Sequence, residues 1–153
     1  MARIDFAFGA PDRLKTACVI ARKRFTEGQR LIVFCTDARR LAAFDRLLWT
    51  FDPASFIPHV SSDDPLSAQT PIVLCTSSPF AVLAHWPAAP TPWLLNLDDD
   101  CAPALDRFER VMEVVSHSED ERQAARSRWR TYTAAGHDVH AHDLSKSKPE
   151  ASE

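Results

Sequence analysis

Three short stretches of this chain are apolar at nearly every position: residues 31–35 (LIVFC), 71–76 (PIVLCT) and 93–97 (WLLNL). A strand with one face in water alternates apolar and polar residues, so runs like these belong to strands covered on both faces. Both faces are covered when helical crossovers join parallel strands. The three runs therefore predict a mainly parallel sheet inside an α/β layered domain.

The crossovers are legible between the runs. A short strand at residues 3–8 is closed by Gly9, Ala10 and Pro11. Leu14, Ala17, Cys18, Ala21 and Phe25 then recur at helical spacing and mark a buried face, leaving Arg13, Lys15, Arg22, Lys23 and Arg24 mostly toward solvent. Gly28 is a C-terminal stop. Thr36 or Asp37 caps a second helix whose shared face holds Ala38, Leu41, Ala42, Asp45 and Leu48. Residues 52–69 read as loop with at most a short strand, and Pro79, Pro87, Pro90 and Pro92 mark another loop. Pro103 suits the first position of a short helix, and residues 110–115 read as a further strand. Ser118 with Glu121 forms a capping box for a helix ended by Gly136. From about His140 the chain has few large apolar residues. The expected organisation is one domain over residues 1–139 and a disordered tail over 140–153.

Composition excludes several functions. The length of 153 residues suits one domain. A formal net charge of −3, from 18 basic and 21 acidic side chains, argues against a surface devoted to nucleic acid. With 3 Gly and neither GxxxxGK[ST] nor GxGxxG, a nucleotide-binding loop is not expected. Cys18, Cys35, Cys75 and Cys101 form no CxxC pair, which fits neither a disulfide framework nor a zinc ribbon. The opening residues lack a signal-peptide pattern, and no apolar stretch approaches the roughly 18 residues of a membrane helix. A cytoplasmic protein without metal or cofactor is the expectation.

Candidate chemistry narrows to two places. Asp98, Asp99 and Asp100 follow a strand, where α/β enzymes put catalytic groups, but an acidic turn explains them as well. Ser77 and Ser78 lack a nucleophile turn. His137, His140, His142 and Asp143 make a loose, metal-like cluster in a polar tail. More informative are Arg122, Arg126 and Arg130, which form one stripe of the last helix. Arg122 has Glu119 three residues back, whereas Arg126, Arg128 and Arg130 have no acid within helical reach. Guanidinium groups suit carboxylates, and Ala125, Trp129 and Tyr132 on the other face pack on the sheet or border a pocket. The second place is the aromatic stretch around Trp49 and Phe51, followed by Phe56, Ile57, Pro58 and His59. Aromatics at such a junction anchor a partner or form a satellite core.

Two stretches carry a family resemblance: Phe44-Asp45-Arg46-Leu47-Leu48-Trp49 with Ser55-Phe56-Ile57-Pro58-His59, and Arg126-Ser127-Arg128-Trp129-Arg130-Thr131-Tyr132 with Ala135-Gly136. Through them the chain resembles the chi subunit of bacterial DNA polymerase III holoenzyme. The resemblance implies a single Rossmann-like three-layer domain without a nucleotide-binding loop. It implies a non-catalytic accessory subunit that joins the psi subunit, and through psi the clamp loader, to the acidic C-terminal tail of the single-stranded-DNA-binding protein. By the family pattern the tail site comprises Val115, Arg122, Gln123, Arg126 and Arg130, with Trp129 beside them. By the same pattern the resemblance implies that psi docks at Trp49, Phe51, Phe56, Ile57, Pro58 and His59. Two other readings remain: a metal-dependent nucleotide or phosphoester enzyme using Asp98, Asp99 and Asp100, and a direct single-stranded-DNA binder that stacks bases on Trp129.

Overall fold

The computed structural model describes residues 1–146 apart from 53, 55, 85, 87–90 and 104. Ser55 of the aromatic motif, Pro87 and Pro90 of the proline loop, and residues 147–153 of the expected tail lie outside the described residues.

The chain forms one open sheet of seven parallel strands with helices on both faces, an α/β fold. The strands are β1 (Arg3–Ala10), β2 (Leu31–Phe34), β3 (His59–Ser61), β4 (Ile72–Cys75), β5 (Trp93–Asn96), β6 (Arg110–Ser116) and β7 (Asp138–Asp143). Their order across the sheet is β3-β4-β2-β5-β6-β1-β7. The helices are α1 (Arg13–Thr26), α2 (Ala38–Thr50), α3 (Pro79–Leu83) and α4 (Glu119–Ala134).

The continuous apolar runs became the central strands because each supplies both layers. Leu31 and Val33 of β2, Leu95 of β5 and Met112 and Val114 of β6 point to the layer holding α1 and α2, where Ala17, Cys18, Ala21, Leu41, Phe44 and Leu48 meet them. Ile32, Phe34, Leu94, Val111 and Val115 point to the opposite layer, under Val82, Ala125 and Tyr132. Burying one such side chain stabilises the fold by about 1.5–3 kcal/mol. The caps are local: Asp12 accepts from the Lys15 N–H (3.0 Å), and Asp37 from those of Arg39 and Arg40 (3.0 and 3.2 Å).

Several expectations are corrected. The α2 face turns on Leu41, Phe44 and Leu48; Ala42 is exposed. The short helix at Pro103 is a single 3₁₀ turn, Leu105–Arg107. Ser118 stands at the N-cap of α4 without a side-chain cap bond, and Glu121 instead accepts from the Ser116 N–H (3.3 Å). Order does not stop near Val139. His140, Ala141, His142 and Asp143 belong to β7, which pairs in parallel along β1 from Arg3↔Asp138 to Phe8↔Asp143. A 3₁₀ turn, Leu144–Lys146, follows. Gly9, at φ 79°, lets the end of β1 pass close to that turn; a Cβ there would sit 3.2 Å from Asp143 Oδ1.

Candidate functional site

A hollow opens where α4 leaves the sheet near its β7 edge. Phe6 and Phe8 of β1 stand on one side of their strand, two residues apart, and form its floor with Val115 of β6 and Ala141 of β7. Ala125 and Trp129 of α4 wall it, and Arg122 and Arg126 stand at its rim. Its volume is about 250 Å³. The Trp129 ring lies 5.1 Å from the Phe6 ring at 54°, a tilted contact that fixes the wall. A second hollow of about 280 Å³ shares Phe8, Val115 and Arg122 and continues toward Gly9, His117 and Asp143. The structure brings Val115, Arg122, Arg126 and Trp129 of the expected tail site together at this hollow and adds Phe6, Phe8 and Ala141 to its lining. The alternation Ile4, Phe6, Phe8 was the available signal for the first two. Ala141 could not be found while β7 was read as tail.

The rim is cationic and half exposed. Arg122 Nη1 lies 3.6 Å from Glu119 Oε1, and Arg126 Nη1 lies 3.6 Å from Glu119 Oε2. Gln123 Nε2 donates to the same Oε2 at 3.2 Å. Arg126 thus has an acid after all: Glu119, seven residues back, stands two turns along the same stripe. Arg130 is exposed and makes no ion pair among the described residues. These contacts are long and solvated, so they hold the guanidinium groups weakly.

Arg128 differs from its neighbours. Far from lacking an acid, it lies beneath α4 with its Nε donating to Glu113 Oε1 (3.1 Å) and Nη1 to the Asp99 carbonyl (2.9 Å). Glu113, fully buried on β6, also accepts from Asn96 Nδ2 (2.8 Å) and Tyr132 Oη (2.6 Å). Burial pushes its carboxyl above the ordinary range, against the pull of Arg128, Asn96 and Tyr132. Tyr132 Oη accepts in turn from the Ala102 N–H (3.0 Å). This network fixes α4 on the sheet and so sets where the rim cations stand.

The aromatic stretch divides in two. Trp49 is 52% exposed, Phe56 82% exposed, Pro58 exposed and Phe51 partly buried. Ile57 is 1% exposed and belongs to the core beneath α2; His59 is buried as well. These two therefore pack inside the fold, whereas Trp49, Phe56 and Pro58 face solvent. His59 Nε2 faces Asp45 Oδ1 (2.8 Å), Nδ1 faces the Ile57 carbonyl (2.7 Å), and the Trp49 ring lies 4.3 Å away. The motif works as a prop that holds Trp49 outward at the β3 edge of the sheet.

The acidic triplet is engaged within the fold. Asp98 accepts from Thr36 Oγ1 (2.9 Å), and Asp99 pairs with Arg40 (3.1 Å) and Arg13 (3.8 Å). Asn96 Nδ2 donates to the Asp100 carbonyl (3.0 Å). Arg13, expected toward solvent, is buried and donates to the carbonyls of Val114 and Asp98, both at 2.9 Å. Among the described residues no three His, Cys, Asp or Glu side chains are grouped to hold a metal. In the tail, His142 Nε2 faces Asp5 Oδ1 (2.9 Å), and His140 lies 3.0 Å from Asp138. No helix among these residues is long and apolar enough to cross a membrane.

The comparisons with known proteins agree on one family. The family model for "DNA polymerase III chi subunit, HolC" matches residues 1–140. The DNA polymerase III subunit chi of Pseudomonas aeruginosa is 30% identical over 148 residues, covering 94% of this chain and 98% of that one. The subunit chi of Escherichia coli is 25% identical over 123 residues, covering 78% and 77%, and that of Haemophilus influenzae 22% identical over 120 residues, covering 78% and 79%. This chain therefore belongs to the DNA polymerase III chi subunit family, the accessory subunits of a replicative polymerase.

Proposed function

We propose that this subunit is a non-catalytic adaptor with two separate docking faces. At the β7 side, the groove under α4 takes the acidic C-terminal tail of the single-stranded-DNA-binding protein. At the β3 side, Trp49, Phe56, Pro58 and the edge of Phe51 take psi, and through it the clamp loader. The observation that carries the reading is the pairing of an aromatic hollow with guanidinium groups at its rim. Phe6, Phe8, Val115 and Trp129 suit an apolar side chain, while Arg122 and Arg126 suit the carboxylates beside it. Arg130 extends the same stripe by one turn for further acids.

Calorimetry with a peptide of that acidic tail tests the groove. Micromolar binding, roughly 8 kcal/mol, is expected and weakens as salt rises. Arg126→Ala loses a charge-assisted contact worth about 1.5–3 kcal/mol. Equal binding by this variant and the parent removes the groove assignment. Copurification with psi tests the other face, and Trp49→Ala is expected to lose it.

A further inference from the structure

Glu119 gathers the tail site's own polar residues. Its two carboxylate oxygens lie 3.6 Å from Arg122 Nη1 and 3.6 Å from Arg126 Nη1, and Gln123 Nε2 donates to it at 3.2 Å. Two of these, Arg122 and Arg126, are the residues that the proposed function gives to an incoming carboxylate, and the family pattern sets Gln123 beside them. Glu119 is the first residue of α4, is exposed, and carries a charge of the same sign as that ligand. Its neighbours differ. Asp120, equally exposed, is not the acid paired with Arg122 or Arg126, and Glu121 turns away to the Ser116 N–H.

We propose that Glu119 is a resident competitor: it occupies the guanidinium pair when the groove is empty, and an acidic peptide must displace it. The inference rests on the groove reading above. Two consequences follow from the geometry. First, a carboxylate entering between Arg122 and Arg126 meets Glu119 within a few ångströms, where like charges repel even in water. Second, each half-exposed guanidinium is held only weakly at 3.6 Å, so an incoming acid can take Glu119's place without rearranging the helix. Glu119 therefore sets a ceiling on affinity and favours ligands with several acids over those with one. A single carboxylate merely exchanges places with Glu119; additional acids can also engage Arg130.

The test compares the acidic tail peptide on the wild type, Glu119→Gln, Asp120→Asn and Arg126→Ala, titrated at low and high salt. Asp120→Asn removes the same charge from the same helix turn without touching the arginines. Glu119→Gln is expected to bind about three- to tenfold tighter at low salt, with the gain shrinking as salt screens the repulsion. Asp120→Asn is expected to stay within about twofold of the wild type. In an Arg126→Ala background the gain from Glu119→Gln falls, because half of the contested pair is gone. Affinity of Glu119→Gln equal to that of Asp120→Asn, or weaker than wild type, overturns the competitor role while leaving the groove in place. Wild type and Arg126→Ala binding alike overturns the groove, and the competitor with it.

Discussion

Arg128 Nε stands 3.1 Å from Glu113 Oε1, with the arginine side chain 3% exposed and the glutamate fully buried. Two turns of α4 are bolted to β6 by this contact and by Tyr132. Breaking one half of a buried pair leaves an unpaired charge, which costs far more than the pair contributes. Arg128→Ala and Glu113→Ala are each expected to destabilise the fold by about 3–5 kcal/mol. Urea unfolding followed by circular dichroism measures it; a loss below about 1 kcal/mol for both would contradict the network described.

Ile57 and Trp49 separate stability from binding at the β3 edge. Ile57→Ala opens a cavity in the core beneath α2 and is expected to cost about 2–5 kcal/mol. Trp49→Ala removes a half-exposed ring that leans at a tilt against His59 and is expected to cost about 1 kcal/mol or less. Psi copurification should respond in the opposite order, with Trp49→Ala losing the partner from a folded protein. Retention of psi by folded Trp49→Ala sinks the assignment of this face.

Asp5 couples the two ends of the chain. Burial raises its carboxyl, but hydrogen bonds from His142, Arg3 and Arg110 outweigh burial and hold it below its ordinary value of 3.8. The native state thus prefers the ionised form. Its contribution is complete above the unfolded value and is lost as pH falls through the lower folded value. Asp5→Asn is expected to lower stability by about 1–3 kcal/mol at neutral pH, with the difference from wild type closing as pH falls through the lowered folded value. A difference that is constant with pH would show that the carboxyl does not titrate in this way.

The cysteines predict a thiol count. Cys18 and Cys75 are buried and their thiols are pushed up to about 12 by burial; Cys35 is buried and raised for the same reason. Cys101 alone is partly exposed. At pH 8 a thiol reagent should label one cysteine slowly in the native protein and four after denaturation. Rapid labelling of two or more native thiols would contradict the burial pattern.

Local pattern carried much of this architecture. Residues 31–35, 71–76 and 93–97 announced strands coated on both sides, because an unbroken apolar run has nowhere else to go. The face of α1 was likewise legible from Ala17, Cys18 and Ala21, and helical spacing put Arg122 and Arg126 on one stripe, while Val115 joined them only through the family resemblance. The strand β7 was not legible: DVHAHD is polar, and an edge strand with a solvated flank carries a weak apolar signal. Its pairing with β1 comes from backbone hydrogen bonds that composition does not record.

The charges were decided by tertiary structure. On α4, Arg126 and Arg128 are two residues apart and chemically identical. One faces water and Glu119; the other faces Glu113, which reaches it from β6. Arg13 entered the interior in the same way, because carbonyls at the ends of β5 and β6 needed donors. Apolar periodicity is a property of neighbours along the chain, so the sequence alone determines the layers. A charge is satisfied by whichever group the fold brings opposite it, often a hundred residues away, so only the assembled structure separates the arginines that build this protein from those it presents.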